Sequence, residues 1–190
     1  GFDAGVAANE SGVMVSGVGC DCKDFDGDGR PDIYVTDLVH DGFTLLVNQG
    51  QGLFSDLSYP SGVGRASANH SGWSAKFLDI DSDGLKDVFS AGSHVVDNVA
   101  LYNPSGKYEE GSFLYRNVGG GRIEDLSTRL GRDLEAAGAW RGVAVADFDN
   151  DGGLEVAGSR LNGEAAFFDR KGGPAHNWIL LQLVGTRSNR

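Results

Sequence analysis

Apolar and polar positions alternate over short stretches of this 190-residue chain, and the stretches come in pairs. Trp73, Ala75 and Phe77 interleave with Ser74, Lys76 and Leu78, and Val143 and Val145 with Ala144 and Ala146. That period of two sends successive side chains to opposite faces of a sheet. Ile33-Tyr34-Val35, Val88-Phe89 and Val156-Ala157 are also short and rich in β-prone side chains. Helical spacing occurs at Leu126, Leu130 and Leu134, but Gly131 interrupts it and the stretch predicts a short helical turn at most. The pattern predicts an all-β fold. Thirty glycines with no three-residue period act as punctuation between short strands.

Between the paired strands the chain repeats itself. Asp24-Phe-Asp-Gly-Asp-Gly-Arg-Pro-Asp32 recurs as Asp79-Ile-Asp-Ser-Asp-Gly-Leu-Lys-Asp87 and as Asp147-Phe-Asp-Asn-Asp-Gly-Gly-Leu-Glu155, with starts 55 and 68 residues apart. Each acidic stretch is predicted to be a hairpin connection. A second element follows, in which Asn48–Ser58 and Asn117–Ser127 match at six of eleven positions; its third copy has decayed to Phe167–Gly173. The spacing from loop to second element is 24 residues in the first repeat and 38 in the second. The middle repeat therefore carries an insertion of about 14 residues between Ala91 and Ser112.

The formal charge of −11, with no cluster of Lys and Arg, argues against nucleic acid, because phosphate binding needs a basic stripe that releases counterions. Cations are the expected partners. No apolar run approaches the ~18 residues of a membrane span, and the N-terminus shows neither an initiating Met nor a secretory pattern, so a processed or truncated chain is expected. Cys20 and Cys22 stand i and i+2 on one strand face, where a mutual disulfide would be strained; they are expected to be small, partly buried packing residues.

The acidic loops carry the clearest chemistry. Carboxylates at positions 1, 3 and 5 of a tight loop converge on one point, and the glycine at position 6 permits the turn back. The first loop offers Asp24, Asp26, Asp28, the backbone carbonyl of Arg30 and Asp32; the second Asp79, Asp81, Asp83, the carbonyl of Leu85 and Asp87; the third Asp147, Asp149, Asp151, the carbonyl of Gly153 and Glu155. Hard oxygen donors in that number suit Ca²⁺, about three ions per chain. An EF-hand would need a chelating Glu at position 12, which here is Val35, Ser90 or Gly158. Isolated Asp-Gly pairs are usually solvated turns. Here, however, 12 of the 27 acidic residues sit in the loops, and four carboxylates packed closely repel without a counter-ion.

The nine-residue motif between strands resembles the FG-GAP (integrin α-type) and VCBS-type repeats. Its alternation with Leu45-Leu-Val-Asn48 and Phe113-Leu-Tyr-Arg-Asn117 is similar to the bacterial relatives of cartilage acidic protein. The tail Asn177–Arg190 resembles the opening of an ASPIC/UnbV domain. This resemblance implies a secreted, calcium-dependent protein of three β-propeller blades over residues 1–174, with the ASPIC/UnbV-like segment at 175–190. Three blades cannot close a ring that normally has four to eight, so either a longer chain or association of copies is expected to complete it.

Catalysis finds little support. His40, His70, His94 and His176 are scattered and form no H-E-x-x-H pair, and no G-x-S-x-G elbow occurs. A structural, adhesion or ligand-binding module with a protein or glycan ligand is the leading expectation. A non-catalytic or metal-assisted part of a secreted carbohydrate- or phosphoester-active enzyme is the alternative. The middle insertion, with Tyr102, Asn103, Pro104 and Tyr108, is long enough to contribute contacts. Trp73 and Trp140, at similar distances before their loops, are expected in the blade core, with Trp178 in the tail.

Overall fold

A computed structural model describes residues 1–9, 12–39, 41–104, 106–169, 177–179 and 181. Its strands form three antiparallel sheets, each taking strands in chain order. The first holds β1 (Gly19–Lys23), β2 (Asp32–Thr36), β3 (Thr44–Gly50) and β4 (Leu53–Asp56). The second holds β5 (Gly72–Leu78), β6 (Asp87–Gly92), β7 (Phe113–Asn117) and β8 (Ile123–Asp125). The third holds β9 (Trp140–Ala146), β10 (Glu155–Arg160) and β11 (Ala166–Phe168). The first strands of the sheets touch, β1 against β5 and β5 against β9, as the inner strands of successive propeller blades do.

Two apolar cores fill the gaps between blades. In the first, Phe25, Tyr34, Phe43 and Leu45 meet Ala75, Phe77, Val88, Phe113 and Tyr115 of the second blade. The Phe25 and Tyr34 rings stand 6.2 and 5.9 Å from Phe77. Polar ties cross the same gap: Tyr34 Oη and Ser90 Oγ share a 2.6 Å hydrogen bond, and the Phe77 N–H donates to Asp21 Oδ2 at 2.9 Å. The second core, built on Leu78, Phe89, Leu114 and Val156, is looser and leaves a cleft of about 780 Å³ lined in part by Leu130, Leu154 and Phe168.

The insertion is real: 20 residues (93–112) separate β6 from β7, against seven (37–43) between β2 and β3. Bridges pair Ser93 with Glu109 and Glu110 with Gly138, folding the excursion back against the start of the third blade. Leu126, Leu130 and Leu134 pack on the second core through a 3₁₀ turn, Ser127–Arg129, and a one-turn helix, Arg132–Glu135, as their spacing predicted. Two further short helices, α1 (Ser58–Ser61) and α2 (Val63–Ser67), are absent from the sequence reading. Gly62 and Gly64 depress helix propensity there. What stabilises the helices is burial, since Val63 joins the first core and Ala66 packs on it.

Trp140 is core, as expected, but Trp73 is only half-buried and lies under the Arg141 guanidinium, 4.1 Å from the ring centroid. Cys20 and Cys22 are exposed free thiols rather than partly buried ones; it is Asp21, between them, that turns toward β5 and accepts the Phe77 N–H. The third sheet has three strands; the decayed element after Phe168, and most of the tail read as the start of an ASPIC/UnbV domain, lie outside the described residues.

Phe77 anchors the first interface, so Phe77→Ala is expected to cost about 3–5 kcal/mol in urea unfolding. Leu161→Ala, at a half-exposed position, is expected to stay within about 0.5 kcal/mol.

Candidate metal centres

Each acidic stretch joins the first two strands of a blade: 24–32 link β1 to β2, 79–87 link β5 to β6, and 147–155 link β9 to β10. The turn is tight because positions 4 and 6 take left-handed backbone. Gly27, Ser82 and Asn150 lie at φ 81, 59 and 62°, and Gly29, Gly84 and Gly152 at 85, 92 and 86°. Only glycine visits that region freely, which explains position 6 in all three loops. At Gly152 there is a second reason, since a Cβ would fall 2.2 Å from Cγ of Trp178.

Position 1 gathers the amides of the turn. Asp24 accepts from the N–H groups of Gly27, Asp28 and Gly29 at 2.8, 3.1 and 2.9 Å. Asp79 accepts from Asp83 and Gly84, both at 3.0 Å, and Asp147 from Asp151 and Gly152 at 3.1 and 3.0 Å. Position 9 closes the loop from beneath. Asp32, Asp87 and Glu155 are buried and accept the position-2 N–H of Phe25, Ile80 and Phe148 at 2.7, 2.9 and 2.6 Å. The second oxygens of Asp32 and Asp87 accept the N–H of Asn48 and Asn117 at 2.8 and 2.7 Å, tying loop to third strand. Asn117 also donates its side-chain amide to the carbonyls of Lys86, at 3.2 Å, and of Phe25 in the preceding blade, at 2.9 Å. The two asparagines escaped the sequence reading as site residues. Their signal was that each opens the second repeated element.

One oxygen from each of Asp24, Asp26 and Asp32 lies within 4.8 Å of the others; so do those of Asp79, Asp81 and Asp87, and of Asp147, Asp149, Asp151 and Glu155. Asp28 and Asp83 fall outside these groups. Asp28 is ion-paired with Arg30 and accepts its N–H at 2.8 Å. Asp83 accepts the Leu85 N–H at 2.8 Å and faces Arg116 at 3.4 Å, while Arg116 lies 2.5 Å from Asp81 and Lys86 3.7 Å from Asp79. In the third loop no Lys or Arg among the described residues reaches a carboxylate, and Asp151, bonded to the Gly153 N–H at 2.6 Å, stays in the cluster. Position 7 thus contributes its N–H, bonded to the position-5 carboxylate in all three loops.

The electrostatics are those of carboxylates crowded at a partly dry site. Burial, with the charges of Asp81 and Asp83 adding, pushes Asp87 up to about 6 against the opposing donations from Ile80 and Asn117. Burial and then Asp32 likewise raise Asp26, and the Asp81 charge holds the Arg116 guanidinium more firmly protonated. Asp81 Oδ1 is buried with no hydrogen-bond donor. An orphan carboxylate oxygen between two other carboxylates fits a cation with oxygen ligands. These clusters could hold metal ions. The described histidines stand apart from them: His70 Nδ1 is 2.6 Å from Glu110 Oε2 with the Phe113 ring 4.4 Å away, and buried His94 bonds to the Val96 backbone. His40 and His176 lie outside the described residues.

Two substitutions probe the loop framework in urea unfolding. Ser82→Gly relieves a left-handed non-glycine residue and is expected to stabilise by about 1 kcal/mol. Asn117→Ala takes the amide donor from the buried Phe25 carbonyl and the part-buried Lys86 carbonyl, and is expected to cost about 1–3 kcal/mol.

Residues 24–90 and 79–157 each match the profile of the FG-GAP-like repeat. None of the curated proteins compared with the chain matches it.

Proposed function

Because the chain belongs to the FG-GAP-like repeat family, we propose that its acidic loops bind Ca²⁺, about one ion each, and that the loaded blades form an extracellular structural or adhesion module carrying a protein or glycan ligand. The observation that carries this reading is the convergence of carboxylates at the same loop positions in all three repeats, with one buried oxygen of Asp81 left without a donor. The ligand sets are Asp24, Asp26, Asp28, Asp32 and the Arg30 carbonyl; Asp79, Asp81, Asp83, Asp87 and the Leu85 carbonyl; and Asp147, Asp149, Asp151, Glu155 and the Gly153 carbonyl. In the first two loops Asp28 and Asp83 exchange an arginine for the ion. The third loop, with four carboxylates gathered and no basic side chain beside them among the described residues, binds most tightly.

Calcium accepts six to eight oxygens in flexible geometry, which suits loops that combine carboxylates with backbone carbonyls. Three ions take the formal charge from −11 to −5 (−11 + 6). With Kd in the 10⁻⁴–10⁻³ M range of extracellular modules, millimolar calcium contributes roughly 0.4–1.4 kcal/mol per site, about 1–4 kcal/mol over three. The extracellular assignment rests on the FG-GAP-like repeat. No helix among the described residues is long and apolar enough to cross a membrane. The middle insertion supports the ligand role, since Leu101 and Tyr102 stand 83% and 63% exposed on it.

Thermal unfolding tests the reading. The midpoint in millimolar calcium is expected to exceed that in EDTA by several degrees, and Asp147→Asn/Asp149→Asn is expected to remove the largest single share of the gain. Coincident midpoints in calcium and EDTA would remove the basis for structural calcium sites.

A further inference from the structure

Among the described residues, the second loop alone has its carboxylates met by a cation from a distant strand. Arg116, on β7, brings a single nitrogen, Nη2, to Asp81 Oδ2 at 2.5 Å and to Asp83 Oδ2 at 3.4 Å. In the first loop the corresponding arginine is Arg30, which belongs to the loop itself and pairs with Asp28. Strand register makes Val47 the first-blade counterpart of Arg116, and Val47 is buried. The arginine is therefore an addition to the repeat rather than part of it.

The pairing is only half made. Arg116 Nε is buried with no acceptor and Asp81 Oδ1 is buried with no donor, so the two groups meet through one nitrogen instead of a two-pronged fork. Each orphan carries a desolvation cost. A divalent cation held by several oxygens would satisfy what Arg116 leaves open at Asp81. The two cations also exclude each other. An ion at a calcium–oxygen distance of about 2.4 Å from Asp81 Oδ2 would stand within about 5 Å of Nη2, where like charges repel. A second carboxylate is at hand for a displaced guanidinium. Glu124 of β8 pairs directly across from Arg116, which puts both side chains on one face of the sheet, and it already receives Arg129 at 3.2 Å.

We infer, on the reading of the loops as calcium sites, that Arg116 is a counter-ion built into the second loop, competing with the divalent cation for Asp81 and Asp83 and passing to Glu124 when the cation binds. Arg116 then holds the loop's carboxylates together when calcium is scarce. It also lowers the affinity of the second site, which fills at a higher calcium concentration than its carboxylates alone would set.

The test compares the intact chain with Arg116→Gln, which removes the competing charge. Arg65→Gln, at an exposed position on α2, makes the same change in net charge away from the loops. In EDTA, Arg116→Gln is expected to melt below the wild type. In calorimetric titration it is expected to tighten one calcium site about fivefold and leave the others unmoved, while Arg65→Gln does neither. Glu124→Gln is expected to weaken that same site in the wild type and to have no effect on it in the Arg116→Gln chain. Calcium affinities indifferent to Arg116, or tightening matched by Arg65→Gln, would overturn the inference and leave the calcium sites standing. A Glu124→Gln effect that persists without Arg116 would overturn the transfer to Glu124. Absence of binding heat in every chain would overturn the calcium reading and this inference together.

Discussion

A buried carboxylate at the ninth loop position, hydrogen-bonded to the amide of the second, is the constraint on which each blade depends. It draws the start of the loop down onto the head of the second strand, and in doing so it sets where the position-2 side chain goes. In the first loop that side chain is Phe25, which enters the core between blades, and its carbonyl is captured by Asn117 of the next blade. The same few atoms thus hold the loop, the blade and the joint between blades. Burying a carboxylate is costly unless its oxygens find donors. Asp32 and Asp87 find two backbone amides each, and the carboxylates at positions 1 and 3 crowd beside them. A cation placed there would neutralise the charge and stiffen the joint together, so metal binding and blade packing are expected to be coupled.

The blades are not equivalent, and the differences follow from single residues. The first interface has ring contacts and three polar ties. Across the second, the equivalents of Tyr34 and Asp21 are Phe89 and Lys76, neither of which can make the same bond. An open cleft between the second and third blades accompanies that loss. Glu155 illustrates compensation of another kind, its extra methylene keeping the bond to position 2 while the cluster gains a fourth carboxylate.

Much of this was legible in the sequence because it repeats. The period-two stretches became strands, the acidic nonapeptides became their hairpins, and the gap after Ala91 became an excursion between β6 and β7. What escaped depended on distance in sequence rather than on local pattern. Arg116 is 35 residues from Asp81, its 2.5 Å partner, and nothing near either residue announces the pair. Asp83 faces the same arginine, whereas Asp28 pairs with Arg30 two residues away inside its own loop. The helices at 58–67 form against propensity because Val63 has a core to enter. Cys20 and Cys22 read as partly buried packing residues and are exposed, because i, i+2 spacing gives the face of the strand they share but not its burial.

Calorimetric titration of the calcium-stripped chain is the most direct test that the repeated loops are metal sites. About three Ca²⁺ per chain, falling by one when Asp147 and Asp149 become Asn, is the predicted result. Absence of binding heat at millimolar calcium, or a count that the loop substitutions leave unchanged, would contradict it.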